Sequence, residues 1–319
     1  MRLRVPPSKS VTHRAFLLAA QSATPCTVHH PLLGADCRST LSVLAGLGAR
    51  FAVGEAQVRF EPVVAFGGAQ GLDCGNSGTT LRLLSAFAAT LPGRSTLSGD
   101  ASLQGRPNGP LLAALESLGA TVGSRDGRAP LTIQGPIGSG EAMLSPRVSS
   151  QYASGLALAL ARLPGGGAVV LQRPVASRPY LDITVQVAQA FGLTLAVVED
   201  AETVRLLVPG GQRVAAAEFT VEADWSSAAF PLVGAALLGR ALALEGLNPG
   251  SPQGDRVVAD QVERFGPQVQ WQGRDLRLAP APLRAAGTLD LGACPDLFPA
   301  LVALAAAAPG TTVFTGAPS

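Results

Sequence analysis

The same succession of apolar and polar patterns occurs four times along the chain. Four segments with helical spacing each end in a bulky residue followed by a glycine. These glycines are Gly48, Gly119, Gly192 and Gly266. They lie 71, 73 and 74 residues apart, and a glycine just past a helix is typical because it adopts a positive φ without a steric penalty. Residues of alternating polarity around a turn follow each one, as in 194–208 and 269–278, and predict a β-hairpin.

A second series of helices runs in phase with the first. Its members are predicted to begin near Ser10, Thr79, Ser150, Ser226 and Asp296. A short β-branched stretch, such as 168–171, separates the two helices of each repeat. The predicted unit is therefore βαβαββ, and the fold class is α/β (α+β). Each unit can bury only one face of its sheet, so the units must pack together into domains.

The predicted repeat does not end on a complete unit. Four are complete, and a fifth begins near Thr288 and reaches its middle strand at 311–314. The glycine that closes its second helix is due one period after Gly266, which lies beyond Ser319. This count predicts a chain that is cut inside a repeat.

The composition narrows the function classes. The 319 residues are 47% hydrophobic and 14% charged, with a net charge of +2. That balance gives no field that favours nucleic acid or an anionic membrane, and no apolar run reaches the ~20 residues of a membrane-spanning helix. The N-terminus has no secretory signal, and the four cysteines show no paired spacing, which indicates a reducing cytosol.

Lysine occurs once among the 24 basic residues, at position 9 between Ser8 and Ser10. Chance or codon bias could leave a single solvated lysine. The alternative is that position 9 requires a compact ammonium group, which a planar guanidinium cannot replace. The serines on both sides favour this second interpretation.

Each helix of the second series begins at a polar cluster. The clusters are 8–10, 76–80, 149–151, 224–227 and 295–296. Simple N-capping explains one polar residue per helix and is the favoured interpretation for 224–227. The first three clusters hold more than capping needs. Because helix N-termini bind anions, they predict a cleft for a phosphorylated, carboxylated substrate.

Three arginines lie near these clusters. Arg14 is one turn after Ser10, Arg82 lies near the start of the second such helix, and Arg106 precedes a predicted helix at Pro107. Arg14 and Arg106 are candidates for bidentate phosphate or carboxylate contacts. The three histidines have no metal spacing, and dinucleotide, P-loop and Ser/His/Asp motifs are absent from the sequence.

Six ordered motifs resemble the 5-enolpyruvylshikimate-3-phosphate (EPSP) synthases, the 3-phosphoshikimate 1-carboxyvinyltransferases. The motifs are Pro7–Arg14, Gly75–Arg82, Gly99–Pro107, Ser149–Tyr152, Ser177–Asp182 and Pro295–Pro299. The resemblance implies two domains of βαβαββ units. Their expected extents are 8–221 for the N-terminal domain, and 1–7 plus 222–319 for an incomplete C-terminal domain.

The resemblance also implies the reaction. These enzymes move the enolpyruvyl group of phosphoenolpyruvate onto the 5-hydroxyl of shikimate 3-phosphate, in the shikimate pathway of aromatic amino acid biosynthesis. The reaction passes through a tetrahedral intermediate, from which phosphate is released. No metal or organic cofactor takes part. A full-length member is expected to be a cytoplasmic monomer whose partners are these two small molecules.

The resemblance implies site residues at the positions of this sequence that match the family's motifs. The shikimate 3-phosphate positions are Lys9, Ser10, Arg14, Ser149, Ser150, Gln151, Ser177 and Asp296. The phosphoenolpyruvate positions are Lys9, Gly78, Arg106 and Gln151. The catalytic residues are Asp296, the proton acceptor for the attacking hydroxyl, and Lys9, which touches both substrates. Gly78 lies where the phosphoenolpyruvate pocket is tight, so a full-length version is expected to be sensitive to glyphosate.

The sequence departs from the family pattern at Pro7, usually Gly, and at Asn108, commonly Met. Later basic and acidic segments of the family would lie beyond Ser319, so this polypeptide alone is expected not to turn over its substrates. Two alternatives remain open. One is the sister transferase that acts on UDP-N-acetylglucosamine, which has Lys-Asn in place of Lys9-Ser10 and a loop cysteine. The other is a non-catalytic remnant that binds shikimate 3-phosphate.

Overall fold

A computed structural model describes residues 1–145, 149–175 and 178–316. The strands are β1 (Arg2–Arg4), β2 (Cys26–His29), β3 (Arg50–Val53), β4 (Gln57–Glu61), β5 (Leu72–Asp73), β6 (Gly93–Ser98), β7 (Thr121–Arg125), β8 (Arg128–Gly135), β9 (Gly140–Leu144), β10 (Gly167–Gln172), β11 (Ala196–Glu199), β12 (Thr203–Val208), β13 (Glu218–Thr220), β14 (Leu242–Glu245), β15 (Gln268–Gln272), β16 (Asp275–Ala279), β17 (Gly287–Asp290) and β18 (Thr312–Thr315). The helices are α1 (Lys9–Ala19), α2 (Ala35–Gly46), α3 (Gly78–Ala88), α4 (Ala101–Gln104), α5 (Gly109–Ser117), α6 (Ser150–Leu160), α7 (Pro179–Ala190), α8 (Trp225–Leu237), α9 (Val258–Arg264) and α10 (Phe298–Ala307).

Four sheets share one arrangement of strands. Their orders are β13-β2-β4-β3, β5-β6-β8-β7, β11-β12-β10-β9 and β1-β14-β16-β15. In each, two parallel strands are joined to an antiparallel hairpin. A fifth sheet holds the parallel pair β17 and β18. The predicted βαβαββ unit and fold class are therefore confirmed.

The glycines that mark the period have the predicted backbone. Gly48, Gly119, Gly192 and Gly266 have φ of +113°, +102°, +83° and +122°. Each follows a helix, and each amide donates to a carbonyl of the preceding helical turn. The left-handed conformation ends the helix and turns the chain into the next hairpin, which is why the period is visible in the sequence.

The described chain forms two compact units. Unit one comprises 1–8, 177–182 and 222–319, and unit two comprises 9–176 and 183–221. The grouping of 177–182 differs from the division expected from the sequence. The reason is local, because Pro179 packs on Gly254 and Tyr180 donates a hydrogen bond to Asp296.

Unit two has its core along three helices. Val11 to Ala19 of α1 are all buried, as are most residues of α3 and α6. Helices that are apolar on every side belong inside a domain. These are the helices that begin at the first three polar clusters, so the packing brings their N-termini into one region.

Unit one has a core built around Trp225, Leu232, Phe265 and Leu301, all fully buried. Helix α10 follows a 3-10 turn over Pro295–Leu297 rather than beginning at Asp296. Pro299 lies at its start, where a missing backbone N–H costs no helical hydrogen bond. No helix among the described residues has the length and apolar character to cross a membrane.

Candidate active site

Capping accounts for one polar residue at each of three helix starts. The Ser77 hydroxyl accepts from the amide of Thr80 at 3.1 Å, and the Ser149 hydroxyl accepts from the amide of Gln151 at 3.3 Å. In unit one, Asp224 accepts from the amide of Ser227 at 2.7 Å. The favoured interpretation of 224–227 thus agrees with the structure, whereas the clusters of α3 and α6 hold polar groups beyond their caps.

Gln151 connects the starts of α3 and α6. Its Nε2 donates to the Thr79 hydroxyl at 3.1 Å, and its Oε1 accepts from Nη1 of Arg82 at 2.8 Å. The side chain is therefore held at the amide-rich ends of both helices. This position suits a group that must hydrogen-bond to an anion bound there.

Arg106 reaches the same helix start from the segment before α5. Its Nη2 donates to Oδ1 of Asn76 at 2.6 Å. A Cβ atom added to Gly78 would lie 3.2 Å from Nη1 of Arg106 and 4.0 Å from Oε1 of Gln151. Three of the four predicted phosphoenolpyruvate positions therefore meet within a few ångströms.

Lys9 is linked to this region through α2. Its Nζ lies 3.1 Å from Oδ2 of Asp36, in the first turn of α2. The carbonyl of Asp36 accepts from the Thr80 hydroxyl at 3.2 Å. The Lys9 side chain is 51% exposed, so this ion pair adds little stability. We call Lys9, Gly78, Arg106 and Gln151 the helix-terminus site.

A buried chain of hydrogen bonds connects the helices that form the helix-terminus site. Nδ1 of His13 lies 2.7 Å from the Thr40 hydroxyl, which lies 2.7 Å from the Thr80 hydroxyl. The chain therefore ties α1, α2 and α3 together. His13 is fully buried, and burial lowers its pKa to about 3, so its ring is neutral near pH 7. Its structural role is the one that the lack of metal spacing suggested.

Arg14 lies in the interior of unit two. Its Nε donates to the Thr184 hydroxyl at 2.8 Å, Nη2 to the Ser154 hydroxyl at 3.0 Å and Nη1 to the Ser10 carbonyl at 2.8 Å. It is 1% exposed. The structure therefore gives Arg14 protein partners on α1, α6 and α7, and its contact with substrate stays a prediction.

Arg82 is more central than the sequence indicated. Its guanidinium lies 5.0 Å above the Tyr152 ring and donates to Gln151. Burial lowers its pKa, with Tyr152 opposing that change and Arg106 adding to it. The side-chain amide of Asn108 donates to the carbonyl of Arg106 at 3.0 Å. Asn108 thus helps to hold the segment that carries Arg106.

Asp296 lies in unit one, on the 3-10 turn before α10. Tyr180 donates its hydroxyl proton to Oδ2 of Asp296 at 2.7 Å. This bond fixes the orientation of the carboxylate. Tyr180 lies within the motif 177–182, but the sequence did not predict this contact. Ser177 lies outside the described residues.

A second carboxyl near Asp296 was not found by sequence reasoning. Asp255 is 6% exposed, and its carboxylate accepts a hydrogen bond from Ser226. Burial raises its pKa to about 6; the bond from Ser226 opposes this, and the charges of Asp296 and Asp224 add to it. Its burial depends on the packing of α8, which no local pattern reveals.

In the described part of the chain, no group of three or more His, Cys, Asp or Glu side chains could hold a metal ion. The polar groups at the helix-terminus site are instead amides, hydroxyls and cations. Such a set suits the binding of anions.

Comparison with known proteins decides the family. The sequence profile of EPSP synthase (3-phosphoshikimate 1-carboxyvinyltransferase) matches residues 1–319. The chain belongs to the EPSP synthase family. A 3-phosphoshikimate 1-carboxyvinyltransferase of Methanocorpusculum labreanum is 40% identical over 323 residues, with 99% of this chain and 74% of that protein covered. One of Halobacterium salinarum is 40% identical over 327 residues, covering 99% of this chain and 75% of the relative.

A solved EPSP synthase has the same fold. The structure of the EPSP synthase from Acinetobacter baumannii matches with a TM-score of 0.80 and 28% identity, over 99% of this chain and 73% of that one. These comparisons do not bear out the predicted truncation. The expected lack of turnover depended on that truncation and is not retained.

Proposed function

We propose that this chain is a 3-phosphoshikimate 1-carboxyvinyltransferase of the shikimate pathway. It moves the enolpyruvyl group of phosphoenolpyruvate to the 5-hydroxyl of shikimate 3-phosphate and releases phosphate. Membership of the EPSP synthase family supports the reaction. The observation that carries the site is the meeting of Gly78, Arg106 and Gln151 at the starts of α3 and α6.

Shikimate 3-phosphate is proposed to bind at the starts of α1 and α6. Ser149, Ser150 and Gln151 form the first turn of α6, where free amides and the helix dipole favour a phosphate. Ser10 lies in the first turn of α1 beside Lys9. The ammonium of Lys9 adds a mobile point charge that can follow the substrate during the reaction.

Phosphoenolpyruvate is proposed to bind against Gly78 and Arg106. A guanidinium forms paired hydrogen bonds with a carboxylate or a phosphate, and the missing Cβ of Gly78 leaves space beside it. Gln151 is close enough to serve both substrates. Lys9 and Arg106 together offset the negative charges that the two substrates bring into the site.

The catalytic steps require a proton acceptor and a proton donor. Asp296 is proposed to take the proton of the 5-hydroxyl as its oxygen attacks C2 of phosphoenolpyruvate, while C3 gains a proton from the Lys9 ammonium. The tetrahedral intermediate then loses phosphate, and a C3 proton returns to the Lys9 amine, which restores the double bond. The hydrogen bond from Tyr180 keeps the Asp296 carboxylate oriented for this transfer.

The cellular setting is proposed from the cysteines. Cys26, Cys37, Cys74 and Cys294 are all buried. Burial raises the pKa of the Cys26 and Cys294 thiols to about 11 and of Cys74 to about 12, so these thiols are unreactive. This pattern supports a protein of a reducing compartment such as the cytoplasm.

The experiment measures inorganic phosphate released from phosphoenolpyruvate with each acceptor. We expect release that requires shikimate 3-phosphate and that UDP-N-acetylglucosamine does not support. Lys9→Arg should remove most of the turnover, because a guanidinium cannot take the place of the compact ammonium. The matched control is the reverse exchange at the exposed pair of β4, Arg59→Lys, which should leave turnover unchanged.

Two results would contradict the proposal. Release supported by UDP-N-acetylglucosamine would assign the chain to the sister transferase. Binding of shikimate 3-phosphate without any release of phosphate would favour the non-catalytic alternative.

A further inference from the structure

A second pocket lies in unit two, away from the helix-terminus site. It has a volume of about 250 Å³. Its walls include Gln21, just past the end of α1, and Arg162, just past the end of α6. The pocket is therefore at the opposite end of α6 from Gln151. We call it the Arg162 pocket.

The charged part of the pocket is entirely basic. Arg162 and Arg213 line it, and no carboxylate does. Within the described ranges, neither arginine forms an ion pair with an acidic side chain. Two cationic side chains therefore line one cavity, and no acidic side chain in its lining neutralises them.

Arg162 is held in a defined position. Its guanidinium lies 5.0 Å from the centre of the Phe87 ring and 5.7 Å from that of Phe66. Nη1 donates to Oε1 of Gln21 at 3.0 Å, and this is the one hydrogen bond of the guanidinium within the described residues. Burial lowers the pKa of Arg162, so the charge has lost part of its hydration. An anion bound beside Arg162 would stabilise the positive charge that burial disfavours.

Apolar side chains form one part of the lining, beside the amides of Gln21 and Gln212. Leu158, Leu193 and Val214 line the pocket and are 2%, 4% and 8% exposed. Gln212 fixes this wall, because its Oε1 accepts from the amide of Thr194 at 2.6 Å and its Nε2 donates to the carbonyl of Pro209 at 2.7 Å. A pocket lined by both apolar side chains and cations suits a ligand that has both characters.

We propose that the Arg162 pocket binds a small organic carboxylate with an apolar body. The planar guanidinium of Arg162 matches a carboxylate, with Arg213 adding charge at the rim. The apolar body lies against Leu158, Leu193 and Val214. The volume of about 250 Å³ lies just below the ~300–1,000 Å³ typical of ligand sites, which limits the body to one ring or a short aliphatic chain.

Phenylacetate is the probe, and its neutral amide, phenylacetamide, is the matched control ligand. Each is titrated into the isotopically labelled chain, and amide shifts are followed by NMR. We expect saturable shifts near Leu193 and Val214 with phenylacetate. Phenylacetamide should bind at least about tenfold more weakly, because it lacks the charge that Arg162 recognises.

Two variants test the assignment to this pocket. Arg162→Gln should weaken phenylacetate binding by about tenfold or more. Because the change removes a partly buried side chain, the exposed Arg213→Glu is the second variant and should weaken binding by reversing charge at the rim. Arg59→Gln, on the exposed face of β4, is the control and should not change binding.

Three results would overturn the proposal. The first is equal binding of phenylacetamide, which would make the pocket merely apolar. The second is binding of inorganic phosphate as tight as that of phenylacetate, which would make it a simple anion site. The third is the absence of saturable shifts near Leu193 and Val214.

Discussion

Gly78 is the position where the side chains proposed to hold phosphoenolpyruvate come closest. Its backbone does not require glycine, because its φ is not positive. The constraint is space, since a Cβ would meet Arg106 Nη1 at 3.2 Å and Arg82 Nη1 at 3.8 Å. A methyl group at position 78 would displace Arg106 and would therefore weaken the proposed contact of this arginine with the ligand.

Gly78→Ala should weaken phosphoenolpyruvate binding by several-fold, about 1 kcal/mol, because Arg106 must move by a few tenths of an ångström. Glyphosate, proposed to bind the same pocket, should lose more affinity. Both are measured by calorimetry with shikimate 3-phosphate present. Gly109→Ala is the matched control, because no atom lies within 4 Å of its added Cβ. Unchanged glyphosate affinity in Gly78→Ala would refute the tight pocket.

His13 makes the stability of the chain sensitive to acid. Its pKa is about 3 in the folded chain and about 6.5 in an unfolded one. Between these values the unfolded state binds the proton and the folded state does not. Stability is therefore complete above the unfolded pKa and falls as the pH decreases toward the folded pKa.

His13→Asn should flatten this dependence, because an amide can reach the Thr40 hydroxyl without titrating. The wild-type free energy of unfolding should fall by up to about 1.4 kcal/mol per pH unit more steeply than that of the variant below pH 6.5. Urea unfolding at pH 7 and pH 5 measures it. His30→Asn is the control, because that ring is exposed and hydrated in both states. Parallel slopes for His13→Asn and wild type would contradict the account.

The burial of individual residues was the hardest feature to predict. Spacing placed Arg14 one turn after Ser10, on the side of α1 expected to face the substrates. Its partners, Ser154 and Thr184, are 140 and 170 residues away in sequence. No pattern local to α1 could show that its side chain lies inside unit two. Arg82 and Asp255 were missed for the same reason, because distant segments define their surroundings.

At the scale of elements, the position of the helix-terminus site depends on how closely α3 and α6 approach. Gly155, within α6, permits this approach. A Cβ there would lie 3.1 Å from the carbonyl oxygen of Arg82 and 3.2 Å from Cβ of Ala86. The same helix carries Gln151 one turn earlier, so its distance from α3 sets the contact between Gln151 and Thr79.

Gly155→Val should lower the free energy of unfolding by about 1–3 kcal/mol, because the larger side chain cannot fit between the helices. Gly234→Ala, within α8, is the contrasting helical glycine, since no atom lies within 4 Å of its added Cβ. It should raise stability by about 0.5–1 kcal/mol through helix propensity. Denaturant unfolding measures both, and a neutral Gly155→Val would show that the helices have room to separate.

Elements were more predictable than residues. The terminating glycines and hairpins depend on local backbone chemistry, so their positions were visible in the sequence. The helix starts near Ser10, Thr79 and Ser150 agree with α1, α3 and α6 within one residue. The grouping of 177–182 was not visible, because it depends on the contacts of Pro179 and Tyr180 with residues about 75 and 116 positions away.

At the scale of the whole molecule, repetition of one unit explains both the fold and the place of the site. Each unit buries one helix inside and leaves its start at the same end, so three amide-rich ends meet in unit two. Repetition of one unit is therefore how we propose that an anion site arises in unit two. The family comparison supplies the identity of the anions, which the repeat alone could not.

Calorimetric titration with shikimate 3-phosphate tests the central claim most directly. We predict saturable one-to-one binding that Gln151→Ala weakens by about tenfold, since a hydrogen bond to a charged group is lost. Gln134→Ala, an exposed glutamine of β8 in the same unit, should bind as wild type does. Absence of binding, or equal affinity of wild type and Gln151→Ala, would contradict the claim that these helix starts hold the substrate.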